Sequence, residues 1–541
     1  MKWRVKRALL SLSDRAGIEP LVKALHELGC EMIATGGTGR DIQALGFPVT
    51  DIRTVTGNPE AFGGRMKTIS FQFESALLFD RERDADEAAM LGIEPIDLVV
   101  CNLYPFEKHK ASGADVPTLI ENIDIGGPTM LRAAAKNYRY VAVLCDPADY
   151  AQVGEELTST GGFLELETRE RLMRKAFNHT ADYDAMIAQT MDARAGHPSL
   201  RLSYPVGREL KAGENDHQRG WIFANSNDPS LAGVTQLGGK PLSYNNFVDV
   251  LGALEAVRDL PKHACAVIKH TNPCGLCYAT DQRRAADLAW AGDPVSAFGS
   301  VVAFNSVLTL KAAQFLNLDH DDPACRKFTV ALVAPDFEPD AIEYLRQKAS
   351  LRILQFDPAW VKPSHEMRFL PNACLMQECD DQLVDSLTVV TTTQPAEDLS
   401  PGSPFHELLH FGQIAVRQVK SNAVVIVSAT QDGSLRLLGM GAGQPNRVVS
   451  TKLAIDRARE TLAAEAPSSI DRTAFVREEL SRALLVSEAF FPFPDSVDAA
   501  AEAGIRTIVQ PGGSIRDEQV FARCDALAVA MITTGIRHFK H

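Results

Sequence analysis

The sequence predicts an α/β protein with a parallel sheet and more than one domain. Three observations carry this. Strand-like and helix-like periods alternate from the start of the chain, which is the pattern of parallel strands joined by crossover helices. The 541 residues exceed what one core serves, and roughly 150 residues per domain gives three or four. The composition is that of a globular protein, with 45% hydrophobic and 23% charged residues, which excludes disordered, collagenous and coiled-coil classes.

In chain order, Arg7 to Leu12 reads as a strand, and Ile18, Leu21, Val22, Leu25 and Leu28 then recur at helical spacing until Gly29. Glu31 to Ala34 is a second strand. It runs into Thr35-Gly36-Gly37-Thr38-Gly39 and a short helix through Ile42 and Leu45. Ile96 to Cys101 and Tyr140 to Leu144 are further buried-strand candidates, and a helical stretch covers about Leu164 to Ala195. Gly196-His197-Pro198-Ser199 marks a domain boundary, giving domains 1–197 and 198–541. A loop-rich patch near 361–405, with Pro363, Pro371, Pro395, Pro401 and Pro404, divides the second region into two subdomains.

The formal net charge of −14 argues against a broad nucleic-acid surface. A phosphate site then needs cations gathered locally and backbone N–H donors. Ten cysteines without framework spacing suggest reduced thiols in a cytoplasmic protein. The basic N-terminus precedes an apolar stretch too short for a secretion signal. No apolar run approaches the ~18 residues of a membrane span. No nucleic-acid or membrane partner is expected.

Thr35 to Thr38 lies between a strand and a helix. It reads equally as an anion-binding turn or as a plain tight turn. Two neighbours strengthen the first reading. Gly64-Arg65-Met66-Lys67-Thr68 gathers two cations and a hydroxyl, and Asp124-Ile125-Gly126-Gly127-Pro128 opens a helix carrying Arg132 and Lys136. Together they point to a phosphorylated small molecule. Lys269-His270-Thr271-Asn272 ends an apolar strand, Ala264 to Ile268, and supplies a base, a cation and a dipole; a His satisfying a loop carbonyl is the competing reading. Pro273-Cys274-Gly275-Leu276-Cys277 matches half of the zinc-deaminase signature. No histidine is followed two residues later by Glu, so zinc is rejected and no metal is expected. Ala489 to Asp495 is an aromatic cluster that either packs in a core or stacks a heterocycle. Gln510 to Arg516 is another glycine turn. An apolar strand, Leu527 to Ile532, leads into a tail that is either disordered or tied into a site.

In order, these segments resemble the bifunctional AICAR formyltransferase/IMP cyclohydrolase family of purine biosynthesis, where AICAR is 5-aminoimidazole-4-carboxamide ribonucleotide. Ile96 to Phe106, Ile120 to Pro128, Leu242 to Asn246, Asp293 to Gly299, Lys420 to Ala423 and Gly441 to Gln444 extend the likeness. The resemblance implies an N-terminal methylglyoxal-synthase-like parallel-sheet domain and a larger, cytidine-deaminase-like transferase region of two subdomains. It implies formyl transfer from 10-formyltetrahydrofolate to AICAR, with His270 as base, Lys269 assisting and His541 in the site. Asn422, Arg447, Phe490, Asp495, Ser514, Ile515 and Arg537 match substrate-contacting positions, Arg447 near the folate. Ring closure to IMP would use Lys136 for proton transfer, beside Lys67, Tyr104 and Asp124. Ser13, Asp14, Thr35, Gly36, Gly37, Thr38, Arg65, Thr68, Cys101, Asn102 and Ile125 match nucleotide-binding positions. Folate enters as cosubstrate, with no metal or redox cofactor required, and the expected assembly is a homodimer.

The chain departs from the family at several points. Arg15 replaces a lysine, which keeps charge but not shape. Ile69 to Ala76 replaces a His- and Gly-bearing loop, so another chain path is expected. Lys211-Ala212 stands where the family has Arg-Tyr; Lys211 can still reach a phosphate, but nothing replaces the aromatic ring. Pro371-Asn372-Ala373 replaces small residues. These changes leave two alternatives, a divergent paralogue keeping only the cyclohydrolase and a non-catalytic nucleotide-binding protein.

Overall fold

Short apolar runs bounded by glycine turns become the buried strands of two units, Met1–Pro205 and Val206–His541. The computed structural model describes residues 3–57, 62, 68–224, 233–358, 365–384, 387–395 and 397–541. In the first unit, β1 (Arg7–Ser11), β2 (Glu31–Ala34), β3 (Thr50–Asp51), β4 (Leu98–Cys101) and β5 (Ala142–Leu144) form a parallel sheet ordered β3-β2-β1-β4-β5. Leu9 pairs with both Ile33 and Val99. Ala8, Leu9 and Leu10 have no exposed surface, as expected where helices cover both faces.

Two strands begin later than the sequence suggested. β4 begins at Leu98, and just before it the Asp97 carboxylate takes the N–H groups of Lys6 and Arg7 at 2.7 and 2.9 Å. Before β5, Tyr140 and Val141 still donate their N–H groups to Asn137, which holds them in the turn that ends the preceding helix. The long helix is Leu166–Arg194. The altered Ile69 to Ala76 segment enters the Phe71–Leu78 helix, capped by the Ser70 hydroxyl, which accepts from Phe73 N–H at 3.2 Å.

The second unit has a small hairpin of β6 (Val206–Glu209) and β7 (Trp221–Ala224) and one large mixed sheet. That sheet contains β8 (Val234–Gly238), β9 (Ala264–Lys269), β10 (Asn272–Tyr278), β11 (Ser300–Phe304), β12 (Thr329–Ala334) and β13 (Arg352–Phe356). After an exposed hairpin of β14 (His365–Leu370) and β15 (Ala373–Glu378), it continues with β16 (Thr388–Val389), β17 (Val424–Ala429) and β18 (Leu435–Gly441). It ends with β19 (Leu484–Ser487), β20 (Thr507–Gln510) and β21 (Ala530–Thr533). The order is β16-β21-β20-β19-β17-β18-β10-β9-β11-β12-β13-β8.

Read outward from the β10–β18 pair, both halves repeat one plan. A hairpin comes first, then three parallel strands, then an antiparallel edge. The loop-rich patch near 361–405 falls between these halves and itself contains the β14–β15 hairpin. The expected strand Leu527 to Ile532 is instead Ala530–Thr533. Leu527 closes the Asp517–Ala526 helix, and Ala528 turns the chain at φ 52°. Among the described residues no helix is long and apolar enough to cross a membrane.

Candidate active sites

In the first unit the strand order reverses direction of winding at β1, so the chains leaving β1 and β4 diverge and open a crevice at their C-terminal ends. Asn102, just after β4, spans it. Its Oδ1 accepts from the N–H groups of Ser13 and Asp14 at 2.7 and 3.0 Å, and its Nδ2 donates to the Asp14 carbonyl at 2.5 Å. Beside it, the Thr38 hydroxyl accepts from Leu12 N–H at 2.9 Å. The Gly36–Ala44 helix starts here with no side-chain cap, so its first N–H groups remain available to an anion. Gly36 and Gly37 thus sit within the helix's first turn. Arg15 pairs with Asp41 at 2.8 Å, and its guanidinium lies where a Cβ on Gly37 would be.

The Gly126–Lys136 helix brings the other wall. Asp124 Oδ1 accepts from Gly127 N–H at 2.8 Å, and a side chain on Gly127 would collide with that carboxylate. Thr68, 4% exposed, packs against Gly126, with its hydroxyl where a Cβ would stand. Ile125 is exposed beside them, and Tyr104 projects from the loop after β4. Cys101 is wholly buried; burial pushes its thiol well up, with Asp124 adding to the effect. It shapes the wall rather than reacting.

Lys136 closes the same helix at its far end, ten residues from Gly126 and therefore about 15 Å along the axis. The structure does not bring Lys136 to Asp124. Arg65 and Lys67 lie outside the described residues. A cavity of about 690 Å³ lined by Trp3, Arg7, Arg81 and Asp97 sits at the opposite, N-terminal end of these strands and contains none of the site residues.

In the second unit, β9 and β10 join through His270 and Thr271 alone, at φ 53° and 64°. Two consecutive positive-φ residues make the tight turn that matches strand twist, and side chains rarely tolerate it. The turn is held from outside. Asp249, on the Tyr244–Arg258 helix, accepts from Thr271 N–H at 2.8 Å, and burial raises its carboxyl while the nearby His270 opposes that rise. The imidazole of His270 is exposed and makes no hydrogen bond among the described residues. Lys269 Nζ donates to the Phe298 carbonyl at 2.8 Å. Cys274 and Cys277 are buried in β10, their thiols pushed up to about 12, and no group of three or more metal-ligating side chains occurs among the described residues.

The same end of the sheet gathers the other candidates. Lys420 N–H donates to Asn272 Oδ1 at 3.1 Å, joining the His270 turn to the segment carrying Asn422. Asn422 Oδ1 accepts from Arg447 at 2.8 Å. Arg447 is 8% exposed and spends its guanidinium on Asn422, Ser487 and Glu488, so it supports the site from behind rather than presenting its charge to a ligand. Phe490 follows β19. Asp495 begins the Asp495–Ala503 helix, while Ser514 and the fully exposed Ile515 follow β20.

The tail is tied in. The Lys540 carbonyl accepts from Ser421 N–H and its own N–H donates to the Ser421 hydroxyl, His538 pairs with Asp380 at 2.8 Å, and Arg537 stacks on Phe539 at 4.3 Å. His541 is exposed, with its carbonyl accepting from Arg368. Lys211 is exposed on a loop that pairs with Leu242 and Tyr244, and no hydrogen bond among the described residues links it to the His270 turn.

Sequence reasoning missed three supports: Asp249, Glu488 and Tyr183. Tyr183, 5% exposed on the Leu166–Arg194 helix, holds Asp124 N–H through its hydroxyl at 2.9 Å. Each is a single polar residue in an apolar or helical stretch, and nothing in its local pattern announces its partner.

A Rossmann-like crevice lined by helix N-termini and a separate base-bearing turn over a mixed sheet define a two-site α/β nucleotide enzyme. The comparisons agree and go further. Residues 134–457 match the model of the AICARFT/IMPCHase bienzyme, and residues 17–129 match the MGS-like domain. The bifunctional purine biosynthesis protein PurH of Elusimicrobium minutum is 39% identical over 99% of both chains. That of Persephonella marina is 38% identical over 99% of this chain and all of its own. A solved chain described as the crystal structure of ForH is 38% identical over 35% of this chain and 97% of its own, at a TM-score of 0.32. The chain belongs to the AICARFT/IMPCHase bienzyme family.

Proposed function

We propose that the second unit transfers a formyl group to AICAR and the first closes the product to IMP. The chain is a bifunctional enzyme of purine biosynthesis, and likeness over 99% of both chains to bifunctional relatives is the observation that carries this reading. It does not favour a chain reduced to one activity.

In formyl transfer, the 5-amino nitrogen of AICAR attacks the formyl carbon of 10-formyltetrahydrofolate. Nitrogen–carbon bond formation makes a tetrahedral oxyanion. His270 takes the amine proton, and the folate nitrogen leaves with a proton as the carbonyl re-forms. Lys269 places positive charge next to His270, where that oxyanion develops. Asn422, Phe490, Asp495, Ser514, Ile515, Arg537 and His541 orient the two substrates, with Lys211 a candidate for the phosphate.

Ring closure joins the carboxamide nitrogen to the formyl carbon of the same molecule and expels water, so positioning contributes most of the acceleration. The nucleotide phosphate is proposed to sit on the Thr35–Thr38 helix start with Ser13, Asp14, Arg15, Arg65 and Thr68, and the base between Cys101, Asn102 and Ile125. The family likeness gives proton transfer to Lys136. The crevice favours Asp124 together with Tyr104, and the family likeness adds Lys67. Asp124→Ala is therefore expected to slow ring closure of supplied formyl-AICAR more than Lys136→Ala does, in an absorbance assay. The reverse ranking returns the role to Lys136.

The ten free thiols support a cytoplasmic setting. Exposed Phe369, Leu375 and Met376 on the β14–β15 hairpin support a homodimer, which light scattering would weigh.

A further inference from the structure

Several segments supply the candidate contacts for formyl transfer, and one buried carboxylate joins three of them. Glu488 has no exposed surface. Its Oε1 accepts from Arg447 Nη1 at 2.9 Å and its Oε2 from the Ser421 hydroxyl at 2.8 Å. Its carbonyl accepts from His538 N–H at 3.0 Å, and its own N–H donates to the Ala423 carbonyl at 3.3 Å. Arg447 passes the link to Asn422 Oδ1 at 2.8 Å, and the Ser421 hydroxyl passes it to Lys540 N–H at 3.1 Å. Phe490 lies two residues beyond Glu488 on the same strand exit. An ion pair that served the fold alone would need only two elements. This one fixes Asn422, the Phe490 strand end and the tail bearing Arg537 and His541.

We propose that Glu488 is a positioning residue for formyl transfer, holding Asn422 through Arg447 and the C-terminal tail through Ser421 in register with the His270 turn. This rests on reading the second unit as the transferase. A buried carboxylate between a guanidinium and a hydroxyl is satisfied only as a set, and removing its charge leaves Arg447 buried without a counter-ion. Arg447 would then be drawn away from Asn422. Neutralisation should therefore disturb substrate placement rather than the base itself.

The test compares Glu488→Gln, Glu488→Asp and Ser421→Ala in full-length enzyme, with both activities measured on each preparation. Glu488→Gln is expected to lose about a hundredfold in kcat/KM for formyl transfer, with a raised KM for AICAR, as displaced binding groups do. Glu488→Asp keeps the charge and should recover to within about tenfold of wild type. Ser421→Ala, which removes the hydroxyl between Glu488 and the tail but keeps the Glu488–Arg447 pair, should raise the AICAR KM several-fold. Ring closure of formyl-AICAR, assigned to the other unit, should stay within twofold in all three and so reports folding. Transfer within threefold of wild type in Glu488→Gln overturns the proposal. So does no recovery in Glu488→Asp, or loss of both activities together. His270→Ala in the same assay keeps the two readings apart, since retained transfer there would instead overturn the transferase assignment.

Discussion

In the second unit, β9–β10 and β17–β18 are hairpins of the same build. Each is crossed by a helix on its second strand, and three parallel strands lie beyond each first strand. Both halves admit the helix by glycine. A Cβ on Gly275 would lie 2.6 Å from the carbonyl carbon of Ala289, and one on Gly441 would lie 2.5 Å from that of Ser450. The turns differ. Thr430 to Ser434 carries its own carboxylate, Asp432, which accepts from the Thr430 hydroxyl and Ser434 N–H within the turn and pairs with Arg284 of the Gln282–Ala291 helix at 2.9 Å. The His270–Thr271 turn borrows its carboxylate from Asp249 on another element, which leaves the imidazole uncommitted. A common scaffold becomes a candidate site where the supporting charge is imported rather than consumed within the turn.

The sharpest way to break this comparison is to remove the uncommitted base. His270→Ala should lower formyl transfer by about 10²- to 10⁴-fold while ring closure is kept, as judged by paired absorbance assays. Next come the shared glycines. Gly275→Ala and Gly441→Ala should each cost about 1–3 kcal/mol or more in denaturant unfolding, because the opposing atoms are helix backbone. Similar losses at both would confirm a common scaffold, and a neutral result at either would deny it.

A smaller effect is expected at the borrowed carboxylate. Asp249→Asn should reduce formyl-transfer kcat about tenfold through a looser turn. Burial raises the folded-state pKa of Asp249, so the folded chain holds that proton more tightly than the unfolded chain. Ionisation therefore removes stability as pH rises from about 4, the unfolded carboxylate value, and wild type should lose stability relative to Asp249→Asn over that window. Equal pH profiles would contradict it. At the Thr430 to Ser434 turn, Asp432→Asn should cost under about 1 kcal/mol and leave both activities unchanged, since its ion pair is exposed.

Much of this was legible in sequence because the chemistry lies in contiguous motifs. Thr35 to Thr38 sits on a strand–turn–helix junction, Asp124 to Pro128 on a helix–turn–helix junction and Lys269 to Asn272 on a strand–turn–strand junction, as the glycines of the first two and the apolar strand before the third indicated. The supports were not legible. Asp249 and Glu488 act across 22 and 41 residues, on Thr271 and Arg447, and such pairings are fixed by packing rather than by local pattern. The duplication of the large sheet was also hidden, because it repeats in strand order and crossing glycines without a repeated motif. The separation of Lys136 from Asp124 was within reach, since helical rise over the expected helix already implied it.

Hydrogen exchange of the wild-type chain with and without AICAR tests most directly which end of the duplicated sheet binds substrate. New protection is expected at 268–273, 420–423 and 488–491, with 430–434 unchanged. Protection at 430–434, or none at 268–273, would contradict it.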